Sequence, residues 1–454
     1  MHGITETILD VQVPRPLLAS LTNWWRFFDV RGRRPEITHI DLHRKYGDVV
    51  RLGPNTLSFS NPKALKAIYG LNKGFIKSDF YIVQQSVVKG HRLASLFSTT
   101  DNTFHAQFRR CVNSAFAMSA LVQYEPFVDN TTKLFLDRTE ELFANNPEGC
   151  DFTRWLQFYA FDVIGEITYS KRHGFIEKNE DIDGIVDYLG KLFLYVAPIG
   201  QIPFLDLLFL KNPIYLKLSQ WGLLDSTFPV ARFARDRMAE RLPELGTGGK
   251  PAESTAILPV SDAKTLPLRS PSSPTCSHQA AKEIDDAAKD GVFSDTTSGL
   301  VTFHEAQKLQ YLDACPAGGV DIGGHFVKGG TIVGCSAWVI HRRPEIFGDD
   351  VDEYRPERWL PRDGFDRAEE EKRIKTMDGT MVQFGMGSRT CIGKNISLLE
   401  IYKLVPSFLR RFEVELQEPD KEWEIINAWF VKQVYRAKFK NRAIVQPLSE
   451  KAAA

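Results

Sequence analysis

Cys391 lies in the run Phe384-Gly385-Met386-Gly387-Ser388-Arg389-Thr390-Cys391-Ile392-Gly393, which carries the residue types and spacing for metal chemistry. It follows a glycine-rich turn and opens an apolar, helix-compatible stretch from Ile392 to Ile401. A sulfur there meets the positive end of a helix macrodipole and nearby N–H donors, which favour thiolate over thiol. Such a thiolate can serve as the axial ligand of an iron. Gly387 permits a turn that a Cβ would obstruct, and Gly393 lets the helix start approach a flat macrocycle. Arg389 can donate a charge-assisted pair of hydrogen bonds to a carboxylate. Phe384 can shield the sulfur from water, one of the levers on an iron's potential. The bland alternative is a buried structural cysteine with Arg389 on the surface. Five fixed positions filled together favour the iron ligand.

A second candidate pair, His105 and Arg109, lies four residues apart in Phe104-His105-Ala106-Gln107-Phe108-Arg109-Arg110, so the two share one helix face. Taken alone, such a pair on a helix is more often a solvated face.

The spacing F-x-x-G-x-R-x-C-x-G resembles the heme-binding loop of the cytochrome P450 monooxygenases. Tyr354-Arg355-Pro356-Glu357-Arg358-Trp359 resembles that family's F-x-P-E-R-W segment, with Tyr for Phe. The resemblance covers residues 13–245 and 279–445 and is nearest to the filamentous-fungal group that includes pisatin demethylase-like enzymes. It implies a mostly α fold with a small β region and a heme whose iron is held by Cys391. The remaining heme-binding positions it implies are Phe384, Gly387, Arg389, Gly393, His105 and Arg109, with His105 and Arg109 holding the propionates. The implied reaction inserts one oxygen atom from dioxygen into a small apolar substrate, in fungal secondary or xenobiotic metabolism. Electrons would come from NADPH through a reductase partner. The implied location is the cytosolic face of the endoplasmic reticulum.

Composition agrees with a globular chain. The 454 residues are 43% hydrophobic and 25% charged, and Lys plus Arg equals Asp plus Glu at 57 each, so no nucleic-acid footprint is present. The six cysteines include no C-x-x-C pair, which argues against a zinc site or a redox dithiol. Only ten uncharged residues separate Arg15 from Arg26, far short of the roughly twenty needed to span a bilayer. The sequence is therefore expected to lack a transmembrane anchor. Pro14-Arg15-Pro16 resembles the hinge that follows the anchor in microsomal relatives, and that expectation would place this chain in the cytoplasm. Trp24, Trp25, Phe27 and Phe28 can rest in a membrane interface or pack on the protein's own surface.

Element signals support the same architecture. Val49–Leu52 and Thr56–Ser60 read as a hairpin across Gly53-Pro54-Asn55, and Asn61-Pro62 opens a helix. Phe161–Tyr169 reads as a buried helix. Leu189–Leu210, broken by Pro198 and Pro203, is either a core helix pair or, by resemblance, the roof of the substrate pocket. Tyr81–Thr100 and Ala428–Gln433 are pocket-lining stretches by resemblance alone.

The pattern departs from the family in the middle. Residues 246–278 are dense in Pro, Gly, Ser and Thr, with prolines at 251, 259, 267, 271 and 274, and read as a disordered linker. The family's long distal helix, with its acid–alcohol pair, belongs about here. Ser294-Asp295-Thr296-Thr297 mimics that motif without the apolar helix that should carry it, so no catalytic residue is assigned. Thr302-Phe303-His304-Glu305 is a capping box, but Cys315-Pro316-Ala317-Gly318-Gly319 ends its helix before a Glu-x-x-Arg motif can follow. Val320–Phe326 and Thr331–Cys335 then read as a strand pair. Glu370 to Arg373 has the Glu-x-x-Arg spacing but sits in the charged run Arg367–Lys375, which reads as a solvated loop. Arg358, deprived of the family's ion-pair partners, is then expected to be an unpaired cation. The resulting division is an anchorless N-terminal segment (1–36), an N-terminal part (37–245), the linker (246–278), a heme-binding C-terminal part (279–445) and a tail (446–454). The competing expectation is a non-catalytic or truncated relative that binds heme weakly or not at all.

Overall fold

The computed structural model describes residues 13, 16–71, 73–144, 146–245 and 319–442. The linker 246–278, the acid–alcohol mimic at Asp295-Thr296, the helix from Phe303 and the tail 446–454 lie outside these residues. Among the described residues, the helices of eight residues or more are α1 (Trp24–Arg31), α2 (Pro35–Tyr46), α3 (Pro62–Tyr69), α4 (Asn102–Val112), α5 (Glu125–Phe143), α6 (Phe152–Tyr169), α7 (Ile185–Ile199), α8 (Pro213–Gln220), α9 (Pro229–Leu245), α10 (Arg367–Asp378) and α11 (Lys394–Arg411). The strands are β1 (Val49–Gly53), β2 (Thr56–Phe59), β3 (Ser86–Val88), β4 (His91–Leu93), β5 (Cys150–Asp151), β6 (Val320–Ile322), β7 (His325–Val327), β8 (Ile332–Gly334), β9 (Phe412–Leu416), β10 (Glu424–Ala428), β11 (Phe430–Val434) and β12 (Arg436–Asn441). The architecture is mostly α with small sheets, as the sequence implied.

The chain forms two compact units. The first comprises Met1–Thr22, Glu36–Phe75 and Thr265–Thr390; the second comprises Asn23–Pro35, Ile76–Lys264 and Cys391–Ala454. In the first unit, β1 and β2 pair antiparallel across the predicted turn, and every residue of both strands is buried. β8 lies parallel to β2, with Leu57 opposite Val333. β6 and β7 form a separate antiparallel hairpin, Val320 opposite Val327. The expected pairing of 320–326 with 331–335 is thus corrected: Gly323 and Gly324, both at positive φ, fold the first stretch back on itself. Asn61 caps α3, its Oδ1 accepting from the Lys63 N–H at 2.9 Å, with Pro62 in the favoured first turn. Val49, Leu57, Phe59, Ala64, Ile68, Ile322 and Val327 make this unit's apolar core.

The second unit is built on α5, α6 and α11. Phe135, Trp155, Phe158, Tyr159 and Val163 pack with Leu399, Leu404 and Phe408 in one apolar cluster. Phe135 stacks on Trp155 at 5.1 Å between centroids. Two buried polar pairs lie in this core: Trp155 Nε1 donates to Thr139 Oγ1 at 2.8 Å, and Thr132 Oγ1 lies 2.9 Å from the Tyr159 hydroxyl. The sheet β5-β12-β9 closes the bundle, with Phe412 and Phe439 fully buried. α7 packs against α1 and β10, and Pro198 is tolerated in its last turn, so the helix reaches Ile199 before the short helical turn Pro203–Leu207.

Candidate active site

The residues singled out around Cys391 fall on two stretches of chain, and the boundary between the units runs between Thr390 and Cys391. In the first unit, Gly387–Arg389 forms a single helical turn, entered through Gly385 (φ +71) and Gly387 (φ +66). A Cβ on Gly387 would overlap the Tyr69 carbonyl oxygen at the end of α3, so glycine is required there for space as well as for φ. The Thr390 N–H and hydroxyl both donate to the Gly387 carbonyl, at 3.2 and 2.9 Å. Upstream, the Val382 N–H donates to His341 Nε2 at 3.0 Å. That bond needs an unprotonated Nε2, and burial pushes the His341 pKa down, which suits it. Phe384 and Arg389 are half-buried.

In the second unit, Cys391 is exposed and not in a disulfide. Gly393 is the N-cap of α11, and the Lys394 and Ser397 N–H groups donate to the Cys391 and Gly393 carbonyls at 3.4 and 3.1 Å. The sulfur thus stands one turn ahead of the helix, as its spacing implied. A Cβ on Gly393 would meet Cys391 Sγ at 3.9 Å, an ordinary van der Waals contact, so the protein alone leaves room for a side chain there. Asn395 Nδ2 donates to the Phe116 carbonyl at 2.9 Å, tying the start of α11 to the turn Asn113–Phe116 that continues α4. α4 itself is capped by Asp101, whose Oδ1 accepts from the Thr103 and Phe104 N–H groups at 2.7 and 3.1 Å. On it, His105 is buried at 5% exposure and Arg109 is half-buried. A plain solvated face is therefore excluded for the pair.

A match to the cytochrome P450 family covers residues 14–228 and 316–441, on both sides of the described gap. The chain belongs to the cytochrome P450 family. It is 36% identical to the cytochrome P450 monooxygenase cicH of Emericella nidulans, over 92% of this chain and 91% of that protein. It is 35% identical to a cytochrome P450 monooxygenase of Aspergillus terreus, over 88% of this chain and 90% of the relative. It is 31% identical to the cytochrome P450 monooxygenase mpaDE of Penicillium brevicompactum, over 93% of this chain but 54% of that longer protein. Cytochrome P450 enzymes are heme monooxygenases supplied with electrons from NADPH through a reductase, and these relatives place this one among filamentous-fungal members. No helix among the described residues is long and apolar enough to cross a membrane.

Two expectations about this P450's charged segments are overturned. Arg358 is not an unpaired cation: it is 8% exposed and lies 3.2 Å from Asp350 Oδ1. It also donates to the carbonyls of Phe347, of Asp350 at 2.8 Å and of Glu353 at 3.2 Å. Nor is Glu370–Arg373 part of a solvated loop. It lies on α10, capped by Asp366, with Glu370 only 2% exposed. Arg373 and Arg362 donate to the Glu370 carboxylate at 2.8 and 2.6 Å, and the Arg362 N–H adds a bond at 3.0 Å. These donors hold its carboxyl far below the usual range. Arg373 then reaches the carbonyls of Arg358 and Leu360 at 2.8 and 2.9 Å. The physical reason is that i, i+3 spacing on a helix aims Glu370 and Arg373 the same way, and Arg362 closes the cluster from outside the run.

Two residues carry signals that pattern reading passed over. Asn395 needed the fold to find its carbonyl. Glu400, on α11, has an Oε1 with no hydrogen-bond partner among the described residues, and burial pushes its carboxyl up to about 8.

Proposed function

We propose that this chain is a heme-thiolate monooxygenase of fungal secondary or xenobiotic metabolism, with Cys391 as the protein ligand of the iron. The observation that carries the reading is the exposed thiol just ahead of α11, preceded by a turn in which Gly387 has no room for a side chain. That donor fits a heme iron: a single soft sulfur ligand with an open approach is what thiolate ligation needs. The bound heme would supply the activation of dioxygen from which one oxygen atom enters a small apolar substrate.

The chain's own residues do the holding. The Cys391 thiol stands just ahead of the first turn of α11. Arg389, His105 and Arg109 would pair with the heme carboxylates, Phe384 would limit water at the sulfur, and Gly393 would admit the macrocycle edge. An NADPH-dependent reductase would be the electron-donating partner. Exposed Phe204, Leu208 and Phe209 support peripheral contact with a membrane at the cytosolic face of the endoplasmic reticulum. The division into N-terminal part, linker and heme-binding C-terminal part belongs to the same proposal.

A second reading, a relative that holds heme poorly or lacks turnover, draws on one observation: the family match leaves out residues 229–315, where the acid–alcohol helix belongs. A reduced, carbon-monoxide-bound absorption spectrum of the purified chain separates the two. A thiolate-type Soret band that disappears in Cys391→Ala supports the ligand assignment; absence of the band in the unaltered chain overturns it. Heme binding without oxygenated product, given reductase, NADPH and a panel of apolar substrates, favours the second reading.

A further inference from the structure

Between the end of α10 and the Gly387–Arg389 turn the chain forms neither helix nor strand, so its peptide groups need partners of other kinds. Val382 has both of its groups engaged. Its carbonyl accepts from the Gly385 N–H at 2.9 Å, closing the turn in which Gly385 stands at φ +71. Its N–H donates to His341 Nε2 at 3.0 Å, on a side chain 41 positions upstream. Further along, Gly387 rests against the Tyr69 carbonyl, and its own carbonyl takes the Thr390 N–H and hydroxyl. The loop is thereby fixed at its entry, its middle and its end, and the bond at the entry is made to an imidazole.

That imidazole is itself held. His341 closes the helical turn Ala337–Ile340, its N–H donating to the Ala337 carbonyl at 2.9 Å, and Ile340 beside it is fully buried. Its ring meets the Phe347 ring edge-on at 6.0 Å between centroids. Phe347 is buried, and its carbonyl receives the Arg358 guanidinium. The Arg358 carbonyl takes Arg373 at 2.8 Å, and Arg373 stands on α10, the helix that precedes Val382. The contacts close a ring that runs through His341, Phe347, Arg358, Arg373 and α10 and returns to His341 by way of Val382. A connected network of this kind holds its members more firmly than separate bonds would. Only a ring nitrogen without a proton can accept from Val382, so the His341 proton resides on Nδ1, and burial favours that uncharged form.

We infer that His341 is a positioning residue for heme ligation: by accepting the Val382 N–H it sets the entry of the loop, and with it the stand of Phe384, the Gly387 turn and the point where the chain passes to Cys391. The inference rests on the heme-thiolate reading and extends it to a residue outside the F-x-x-G-x-R-x-C-x-G spacing. The acceptor matters more than the bulk of the ring, because the Val382 N–H has no helix or strand to bond to instead. Groups behind a metal ligand orient it without touching the metal.

The test compares the full chain with His341→Phe, which keeps a ring without an acceptor, and with His341→Gln, whose Oε1 can reach the Val382 N–H. In the chain as purified, amide exchange at Gly385 and Thr390 should be about ten-fold faster in His341→Phe and close to the unaltered rate in His341→Gln. At equal heme content, His341→Phe should lose intensity in the thiolate-type band of the reduced, carbon-monoxide-bound spectrum, and His341→Gln should recover most of it. A role confined to fold stability would lower the melting temperature and the heme content while leaving the band of the bound heme as it was, and that result overturns the inference. So does a loss that His341→Gln fails to restore. Should His341→Phe not fold, nitrogen NMR of the unaltered chain with labelled histidine decides: a protonated Nδ1 and a bare Nε2 are expected at His341, and a protonated Nε2 overturns the assignment. Absence of a thiolate-type band from the unaltered chain sinks the heme-thiolate reading, whatever the exchange shows. Unchanged exchange in His341→Phe beside a normal band sinks only the role given to His341.

Discussion

Two regions of the molecule hold backbone in place by opposite means. In the second unit, α11 is gripped by rings and aliphatic chains: Leu399, Leu404 and Phe408 sit in the cluster of Phe135, Trp155 and Phe158. In the first unit, residues 347–373 are held by guanidinium groups that reach main-chain carbonyls, with Glu370 as the one buried carboxylate at the centre. Apolar packing tolerates changes of pH and salt and is sensitive to lost volume. A guanidinium-to-carbonyl lattice depends on orientation, and each donor it loses leaves an oxygen without its partner.

That contrast can be broken most forcefully in the aromatic cluster. Trp155→Ala should lower unfolding stability by about 3–5 kcal/mol through the cavity it leaves, in denaturant titrations, with little dependence on pH between 5 and 8. A loss below about 1 kcal/mol would mean that the cluster does not carry α11. Glu370→Gln should give the next largest effect, read as faster amide exchange confined to residues 347–373. In the unaltered chain that protection should behave as a depressed carboxyl requires: fully present above the ordinary glutamate range and lost progressively as pH falls below that range towards the depressed folded-state value. Exchange in 347–373 that ignores acid would show that the lattice does not depend on the carboxylate.

Asn395→Ala tests a polar tie inside the apolar region. It removes one bond to the Phe116 carbonyl, and a loss of about 1 kcal/mol in denaturant titrations is expected. Glu400→Gln tests the pH dependence of the apolar region rather than its stability at one pH. A carboxyl raised to about 8 by burial makes the folded state bind a proton that the unfolded chain has released, so stability should fall as pH rises from about 4.5 to about 8. The substitution should flatten the melting temperature across that window; an unchanged slope would assign the pH dependence elsewhere.

Local patterns were legible in the sequence because local physics sets them. The β1–β2 hairpin follows from Gly53-Pro54-Asn55 between two strand-forming runs, the start of α3 from Asn61-Pro62, and the place of Cys391 ahead of a helix from its glycines. Glu370 misled because charge density along a run does not say which member meets a partner. Its burial depends on Arg362, eight residues away, and on the carbonyls that Arg373 reaches. Arg358 misled for the same reason, since its partners are mostly main-chain oxygens and no side-chain pattern announces them. The strands after 319 were placed but mispaired: β8 has its neighbour near residue 57, and proximity along the chain pointed to β6 instead.

The parallel pairing of β2 with β8 has a consequence for synthesis. Leu57 and Val333 are neighbours in the sheet but 333 − 57 = 276 positions apart along the chain. At translation rates of roughly 5–20 residues per second, the ribosome needs on the order of 14–55 s to deliver the second after the first. During that interval the open edge of the β1–β2 hairpin has no native partner and is exposed to wrong ones. Nascent chains arrested before residue 332 should therefore depend on chaperone cover far more than chains arrested after it.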